Sequence, residues 1–197
     1  IHEAFDGNYE MMRAEEGRPI APEARATALQ HVQLYWRLMR DVAENITDTE
    51  VKLSLPNQTS PGRRSFTIQG VVDIVRDGDR TMMYDIKTHD AAYVRGNKAV
   101  YADQLNVYAH IWHKLRGRPL DGCAVIATSY PDSVKRALAA EDEAELDAAL
   151  AQWKPLVDIP FDLSQVDRTI DRFGHVVDDI EARRFAAPPV TRLAEVI

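Results

Sequence analysis

Three consecutive strand-like runs lie between two helical stretches, and this order limits the possible folds more than any other feature of the sequence. Residues 50–55 alternate apolar and polar side chains. Residues 65–75 and 80–88 are rich in β-forming side chains on either side of Asp77 and Gly78, a pair typical of a turn. The pattern predicts a three-stranded antiparallel meander.

Helical periodicity marks the segments around this meander. Apolar residues recur at helical spacing through the first 45 residues, with a break at Gly-Arg-Pro-Ile-Ala-Pro, which predicts two helices. Further helices are predicted over 97–116, over 142–153 and from about 164 to 184, and a short apolar strand over 123–130. The order α, βββ, α, β predicts an α/β fold, with a central mixed sheet of four or five strands flanked by helices.

Size and composition narrow the class of protein. A chain of 197 residues suits a single domain over residues 1–197. The net charge of −7 argues weakly against nucleic acid, although a local basic rim can still bind phosphates. The lone cysteine, Cys123, excludes an intramolecular disulfide framework and is expected to be a packed core thiol. Without a long apolar run or a signal-peptide pattern, we expect a cytoplasmic protein with no membrane partner.

An acid and a base share one face of the third predicted strand. Side chains alternate faces along a strand, so Asp85 and Lys87 point the same way. Residues that face each other in an antiparallel hairpin point to the same side of the sheet. Asp73 therefore lies on the side of Asp85 only if the residue numbers of each facing pair have an even sum. A two-residue turn at Asp77 and Gly78 gives an odd sum, so we predict an odd-numbered loop or a bulge, with Gly78 at positive φ.

Two carboxylates brought together on a sheet are best stabilised by a cation between them. Mg²⁺ takes oxygen ligands and keeps several waters, so Asp73, Asp85 and a backbone carbonyl, for which Ile86 is the candidate, are sufficient ligands. Such an ion polarises a phosphodiester and lowers the pKa of bound water. Lys87 is suited to act on the nucleophile or on the developing phosphorane charge.

Three spaced motifs resemble the RecB-like branch of the PD-(D/E)XK nucleases, which includes AddB-type nucleases and CRISPR-associated exonucleases. They are Gly70-x-x-Asp73, Asp85-x-Lys87-Thr88 and Gln104-x-x-x-Tyr108, within a resemblance over about residues 2–130. The resemblance implies a restriction-endonuclease-like core and Mg²⁺ or Mn²⁺ held by the two aspartates. It also implies a catalytic Lys87, with Gln104 and Tyr108 contacting DNA.

The same resemblance extends to two further residues. Ile1-His2-Glu3-Ala4-Phe5 resembles the family's histidine motif at the start of a helix, which implies that His2 is a metal ligand. Glu50 begins the first predicted strand, where many superfamily members place an additional acid. His89, His110 and His113 have no ligand spacing and are interpreted as structural.

Some relatives carry an iron–sulfur cluster bound by four cysteines, and the residues present do not support one here. The chain begins inside the histidine motif, and Phe185-Ala186-Ala187-Pro188-Pro189 resembles the approach to the C-terminal cysteines of those relatives. We therefore expect the native protein to extend beyond both ends.

The predicted function is phosphodiester hydrolysis on DNA by an Mg²⁺- or Mn²⁺-dependent deoxyribonuclease. Nothing resembles a separate sequence-recognition module, which favours an exonuclease or single-strand processing in repair, recombination or defence. A helicase or other repair protein is a conceivable partner that the sequence does not identify. One alternative is a catalytically silent nuclease fold that binds nucleic acid or serves in an assembly, against which the intact Asp, Asp and Lys set argues. Another is an acidic metal protein that is not a nuclease, which would need a different ligand cluster.

Overall fold

The predicted order of helices and strands is confirmed, with three added elements. The structure is a computed structural model that describes residues 1–16 and 21–185. Its elements are α1 His2–Glu16, α2 Pro22–Glu44, β1 Asp48–Thr59, β2 Ser65–Asp77, β3 Thr81–Lys87, α3 Ala91–Gly96, α4 Lys98–Arg116, β4 Gly122–Ala127, α5 Asp132–Ala140, α6 Glu143–Gln152, β5 Leu156–Ile159 and α7 Leu163–Glu181.

The five strands form one mixed sheet in sequence order. β1, β2 and β3 are the antiparallel meander, β4 runs parallel to β3, and β5 is antiparallel to β4. The parallel pair is joined by α3 and α4, as a parallel connection requires a crossover. The α/β fold with a mixed sheet of four or five strands is therefore confirmed.

The two faces of the sheet pack against different helices. On one face, Val75 and Met83 lie in a core with Leu105 of α4. On the other face, Ile74 and Tyr84 pack in a core that includes residues of α2. Because alternate residues of a strand point to opposite faces, Asp85 and Lys87 lie on the α4 face with Met83.

The hairpin between β2 and β3 has the predicted parity. Its partners run from Ile74↔Tyr84 to Asp77↔Thr81, so each pair of residue numbers has an even sum, and a three-residue connection remains. The odd-numbered loop is confirmed. The prediction of a positive φ at Gly78 is wrong. Among the described glycines, only Gly117 has a positive φ. A connection of three residues turns the chain without a left-handed residue there, and Thr81 Oγ1 closes it by donating to Asp77 Oδ1 at 2.9 Å.

The sequence did not predict α3, α5 or β5, and the strand predicted over 123–130 ends at Ala127. α3 has only six residues and depends on a cap, in which the Asp90 carboxylate accepts hydrogen bonds from Ala92 N and Tyr93 N. β5 has four residues at the sheet edge, too few for a clear period. The proposed break over 17–22 and the run 185–189 lie partly outside the described residues.

Two smaller observations complete the fold. Cys123 is a buried thiol in β4, as predicted, and burial raises its pKa to about 12. Among the helices that the structure describes, none combines the length and apolarity needed to cross a bilayer.

Candidate active site

β2 and β3 separate at Asp73. The last pair of their ladder is Ile74↔Tyr84, and the same register continued by one residue places Asp73 opposite Asp85. The Asp73 side chain bridges the gap, because its Oδ2 accepts a hydrogen bond from Ile86 N at 2.7 Å. A carboxylate thus occupies the place where a strand partner would otherwise offer a backbone carbonyl.

A strained residue of β1 lies beside this opening. The partners Thr49↔Ile74 and Val51↔Val72 flank Glu50 and Asp73, so these two acids lie opposite one another. Glu50 has a φ of 51°, a left-handed conformation that costs on the order of 1 kcal/mol for a non-glycine residue.

The side-chain alternation of β2 is interrupted at the same level. Val72 lies in the α4-side core, whereas Ile74, two residues later, lies in the α2-side core. Strict alternation would put both on one face. Regular alternation counted from Val72 would place the Asp73 side chain on the α2 face. Because the alternation is interrupted, Asp73 can lie on the α4 face, with Asp85.

Asp85 is a buried carboxylate beside an amine. It is 4% exposed, and Lys87 Nζ lies 2.9 Å from its Oδ1 and 2.8 Å from its Oδ2. The Oδ1 contact is a hydrogen bond, while the shorter Oδ2 contact lacks hydrogen-bond geometry, so Oδ2 is a buried oxygen without a hydrogen-bond partner. Burial raises the pKa of Asp85, Lys87 opposes that rise, and the negative charge of Asp73 adds to it.

The residues at this opening fit a hard divalent cation. Over the described ranges, no three His, Cys, Asp or Glu side chains converge as a metal-binding group. Mg²⁺ does not require three, since it is commonly held by one or two carboxylates together with waters and substrate phosphate. The N–H and C=O of a strand residue point to the same edge, so the Ile86 carbonyl lies on the side where its N–H meets Asp73. The Asp85 carboxylate supplies further oxygen ligands, and its Oδ2 has no hydrogen-bond partner, although Lys87 Nζ lies 2.8 Å from it.

The helix motif is packed directly onto the strand motif. Gln104 Nε2 donates a hydrogen bond to Tyr108 Oη at 3.0 Å, as expected for residues four apart on α4. A Cβ atom at Gly70 would lie 2.3 Å from Tyr108 Cε1. Gly70 therefore makes room for the Tyr108 ring against the sheet, which gives a physical reason for the glycine of the first motif.

His2 lies at the start of α1, as predicted, but the structure does not bring it together with the two aspartates. Its recorded contact is with α2, where Gln33 Nε2 donates to His2 Nε2 at 2.8 Å. The role of His2 as a ligand stays a prediction, as does that of Glu50.

The sequence did not predict a role for Tyr101, and it indicated only a structural one for His89; the structure joins the two residues. Tyr101 of α4 is 3% exposed, and its hydroxyl is hydrogen-bonded to His89 Nδ1 at 2.7 Å. Burial raises the pKa of Tyr101, and electrostatic interactions with Tyr93 and with the Asp85 carboxylate raise it further. No strand pattern pointed to this pair, because β3 ends at Lys87 and His89 lies in the bend that follows.

Comparison with known proteins identifies the family. No curated protein matches the chain. The crystal structure of SSO0001 aligns with 94% of this chain and 72% of that one, at 15% identity and a TM-score of 0.47, which is too low to carry an argument. A family model of the PD-(D/E)XK nuclease superfamily matches residues 3–192, and the mixed sheet flanked by helices agrees with its restriction-endonuclease-like fold. The chain therefore belongs to the PD-(D/E)XK nuclease superfamily.

Proposed function

We propose that this protein is a DNA nuclease that depends on Mg²⁺ or Mn²⁺ and hydrolyses phosphodiester bonds. The observation that carries the proposal is the buried Asp85 carboxylate, in ion-pair contact with Lys87 and at the register position opposite Asp73. Burying a carboxylate is costly unless its charge is compensated. Lys87 is 30% exposed on its side chain and compensates it only in part, so a bound cation would complete the balance.

Asp73, Asp85 and the Ile86 carbonyl would hold the metal, and when bound it would polarise the phosphodiester and make its water a stronger nucleophile. The chain prepares this site in two ways. The Ile86 N–H fixes the Asp73 carboxylate, and burial with the Lys87 contact fixes that of Asp85. Fixed acceptors need little reorganisation when a charged group binds.

Lys87 acts on the reacting groups rather than on the fold. It shares the face of Asp85 and is accessible to solvent, so its ammonium can contact a phosphate oxygen or an attacking water. A cation placed there stabilises the charge that develops on the phosphoryl group, and it can accept or deliver a proton if its own charge is lowered.

DNA is the proposed substrate, and processing of ends or single strands is the proposed mode, as in the RecB-like branch. The support is the set of three motifs together with the packing of Gly70 on Tyr108 and the bond between Gln104 and Tyr108. This pair presents an amide and a phenol, groups that bind phosphate or base edges without demanding a particular sequence. Repair, recombination or defence would be the setting.

End-labelled DNA tests the proposal. Linear single strands, linear duplex, circular single strands and an RNA of the same sequence would be incubated with Mg²⁺, Mn²⁺ or EDTA and resolved on a sequencing gel. We expect cleavage of linear DNA with either metal and none in EDTA, with circles resistant if ends are required. Tight binding of DNA without cleavage under any condition would favour the silent-subunit alternative and contradict the proposal.

A further inference from the structure

Two aromatic rings lie next to each other just beyond the end of β3. The rings of His89 and Tyr93 have centroids 5.2 Å apart and are tilted by 55°. His89 is exposed, and Tyr93 is 51% exposed although it is a large aromatic residue. A single exposed aromatic side chain needs no explanation. Two aromatic side chains in contact form a surface that can cover one face of another flat ring.

This surface is held in place from beneath. The His89 imidazole is hydrogen-bonded through Nδ1 to the buried Tyr101 hydroxyl at 2.7 Å, and the His89 carbonyl accepts from Ser129 N at 3.2 Å. Tyr93 stands on α3, whose first turn is capped by Asp90. A ring fixed in this way loses little freedom when a ligand stacks on it, which favours binding.

The surface also adjoins the proposed catalytic groups. His89 is two residues from Lys87, so their Cα atoms are at most about 7 Å apart. Tyr101, which is hydrogen-bonded to His89, also interacts electrostatically with Asp85, whose negative charge raises the Tyr101 pKa. A nucleic-acid strand with one phosphate at the site of Asp85 and Lys87 would therefore place a neighbouring nucleotide beside the rings of His89 and Tyr93.

We propose that His89 and Tyr93 form a stacking site for one unpaired base of a single-stranded nucleic acid, next to the Asp85–Lys87 pair. Every base has a π-face, so such a site tolerates any sequence, whereas a base inside a duplex has both faces covered by its neighbours. The site therefore favours single strands or frayed ends over closed duplex. This inference rests on the proposed function for its ligand class, but its test does not require cleavage.

The test combines protein variants with abasic oligonucleotides. Binding of fluorescein-labelled oligothymidylate of roughly 15 nucleotides would be measured by anisotropy in EDTA, and again with single abasic positions placed in turn along the strand. Tyr93→Ala removes the ring but keeps the backbone bonds of Tyr93, and Tyr93→Trp keeps a π-surface. Phe173→Ala, which removes a 40% exposed aromatic residue of α7, is the matched control.

We expect Tyr93→Ala to weaken binding about tenfold to a hundredfold, which corresponds to the loss of one stacked base. Tyr93→Trp and Phe173→Ala should bind as the wild type does. With the abasic residue at one particular position, Tyr93→Ala should cause no further loss, since the base that it would have held is already missing. Equal affinities of wild type and Tyr93→Ala, or a loss that is the same at every abasic position, would overturn the proposal.

Two variants of His89 separate stacking from structural support. His89→Phe keeps an aromatic ring and loses the bond to Tyr101, whereas His89→Asn keeps an acceptor for the Tyr101 hydroxyl and loses the ring. We expect His89→Phe to retain more affinity than His89→Asn. The reverse order would show that His89 only supports Tyr101 and would remove it from the stacking site.

The outcomes also separate this inference from the nuclease proposal. Protein that never cleaves DNA but shows the position-specific loss with Tyr93→Ala would retain the stacking site and lose the nuclease. Protein that cleaves DNA but binds it equally well with and without the Tyr93 ring would retain the nuclease and lose the stacking site. Binding to a closed hairpin duplex should be unchanged by Tyr93→Ala.

Discussion

The Asp73 carboxylate accepts a hydrogen bond from the backbone N–H of Ile86, at 2.7 Å, where β2 and β3 separate. The bond keeps the strand N–H satisfied although its backbone partner has moved away. It also fixes the Asp73 carboxylate at the point where the two strands separate, one register position beyond Ile74↔Tyr84.

Asp85→Asn should stabilise the metal-free protein at neutral pH. Burial raises the pKa of Asp85 above its ordinary 3.8, so its contribution to stability is fully present below pH 3.8 and is lost as the pH rises through the higher folded value. A neutral amide avoids that loss. Thermal unfolding of both proteins in EDTA from pH 3 to pH 8 should show a Tm difference that grows with pH. A difference that shrinks with rising pH would contradict the cause assigned to the shift.

Addition of metal should reverse the order of these two proteins. A ligand that binds only the folded state raises its stability, so Mn²⁺ should raise the Tm of the wild type. It should barely affect Asp85→Asn, because the variant has lost a ligand charge. Calorimetric titration with Mn²⁺ would measure both affinities. Equal metal affinities would remove Asp85 from the ligand set.

Lys87→Ala should separate metal binding from turnover. The lysine is not a metal ligand, so Mn²⁺ should still bind, while single-turnover cleavage should slow by about a hundredfold or more because a charge-stabilising group is gone. Lys135→Ala, at an exposed lysine on α5, is the control and should cleave normally. Similar rates for Lys87→Ala and the control would exclude Lys87 from the mechanism.

Gly70→Ala should destabilise the fold by pushing Tyr108 away from the sheet. Its Cβ would lie 2.3 Å from the Tyr108 ring, and overpacking of this kind costs about 1–3 kcal/mol of unfolding free energy. Gly78→Ala meets no atom within 4 Å and is the matched control. Urea denaturation would compare them, and Tyr108→Leu combined with Gly70→Ala should recover part of the loss. Equal stabilities of the two alanine variants would show that the close approach has no energetic weight.

His2→Ala tests the ligand role implied by the family resemblance. We expect weaker Mn²⁺ binding, since a nitrogen ligand suits Mn²⁺ better than Mg²⁺. Gln33→Ala removes the recorded partner of His2 and serves as the comparison. If both variants bind Mn²⁺ as tightly as the wild type, the contact between α1 and α2 accounts for His2 and the ligand role is wrong.

Local patterns predicted most of the fold. The meander, the long helices and the shared face of Asp85 and Lys87 follow from side-chain periods of two and 3.6, which need no tertiary information. The alternation of side chains along the hairpin also predicted an odd-numbered loop or a bulge, because a regular two-residue turn would separate Asp73 from Asp85, and the structure has the odd-numbered loop.

The remaining features depend on contacts between distant residues. α3 and β5 are too short to show a period, and no local pattern predicts the left-handed φ of Glu50. The bond between Tyr101 and His89 joins α4 to the loop after β3, and no local pattern announces such a pair. Nothing in the local sequence distinguishes His89 from an ordinary surface histidine.

Single-turnover cleavage of end-labelled single-stranded DNA in Mn²⁺ by wild type and Asp85→Asn tests the central claim most directly. Folding of both proteins would be verified by their Tm. The site described here predicts cleavage by the wild type that stops in EDTA and is abolished in Asp85→Asn. Cleavage that survives EDTA, or that is equal in the two proteins, would contradict a metal-dependent centre at Asp73, Asp85 and Lys87.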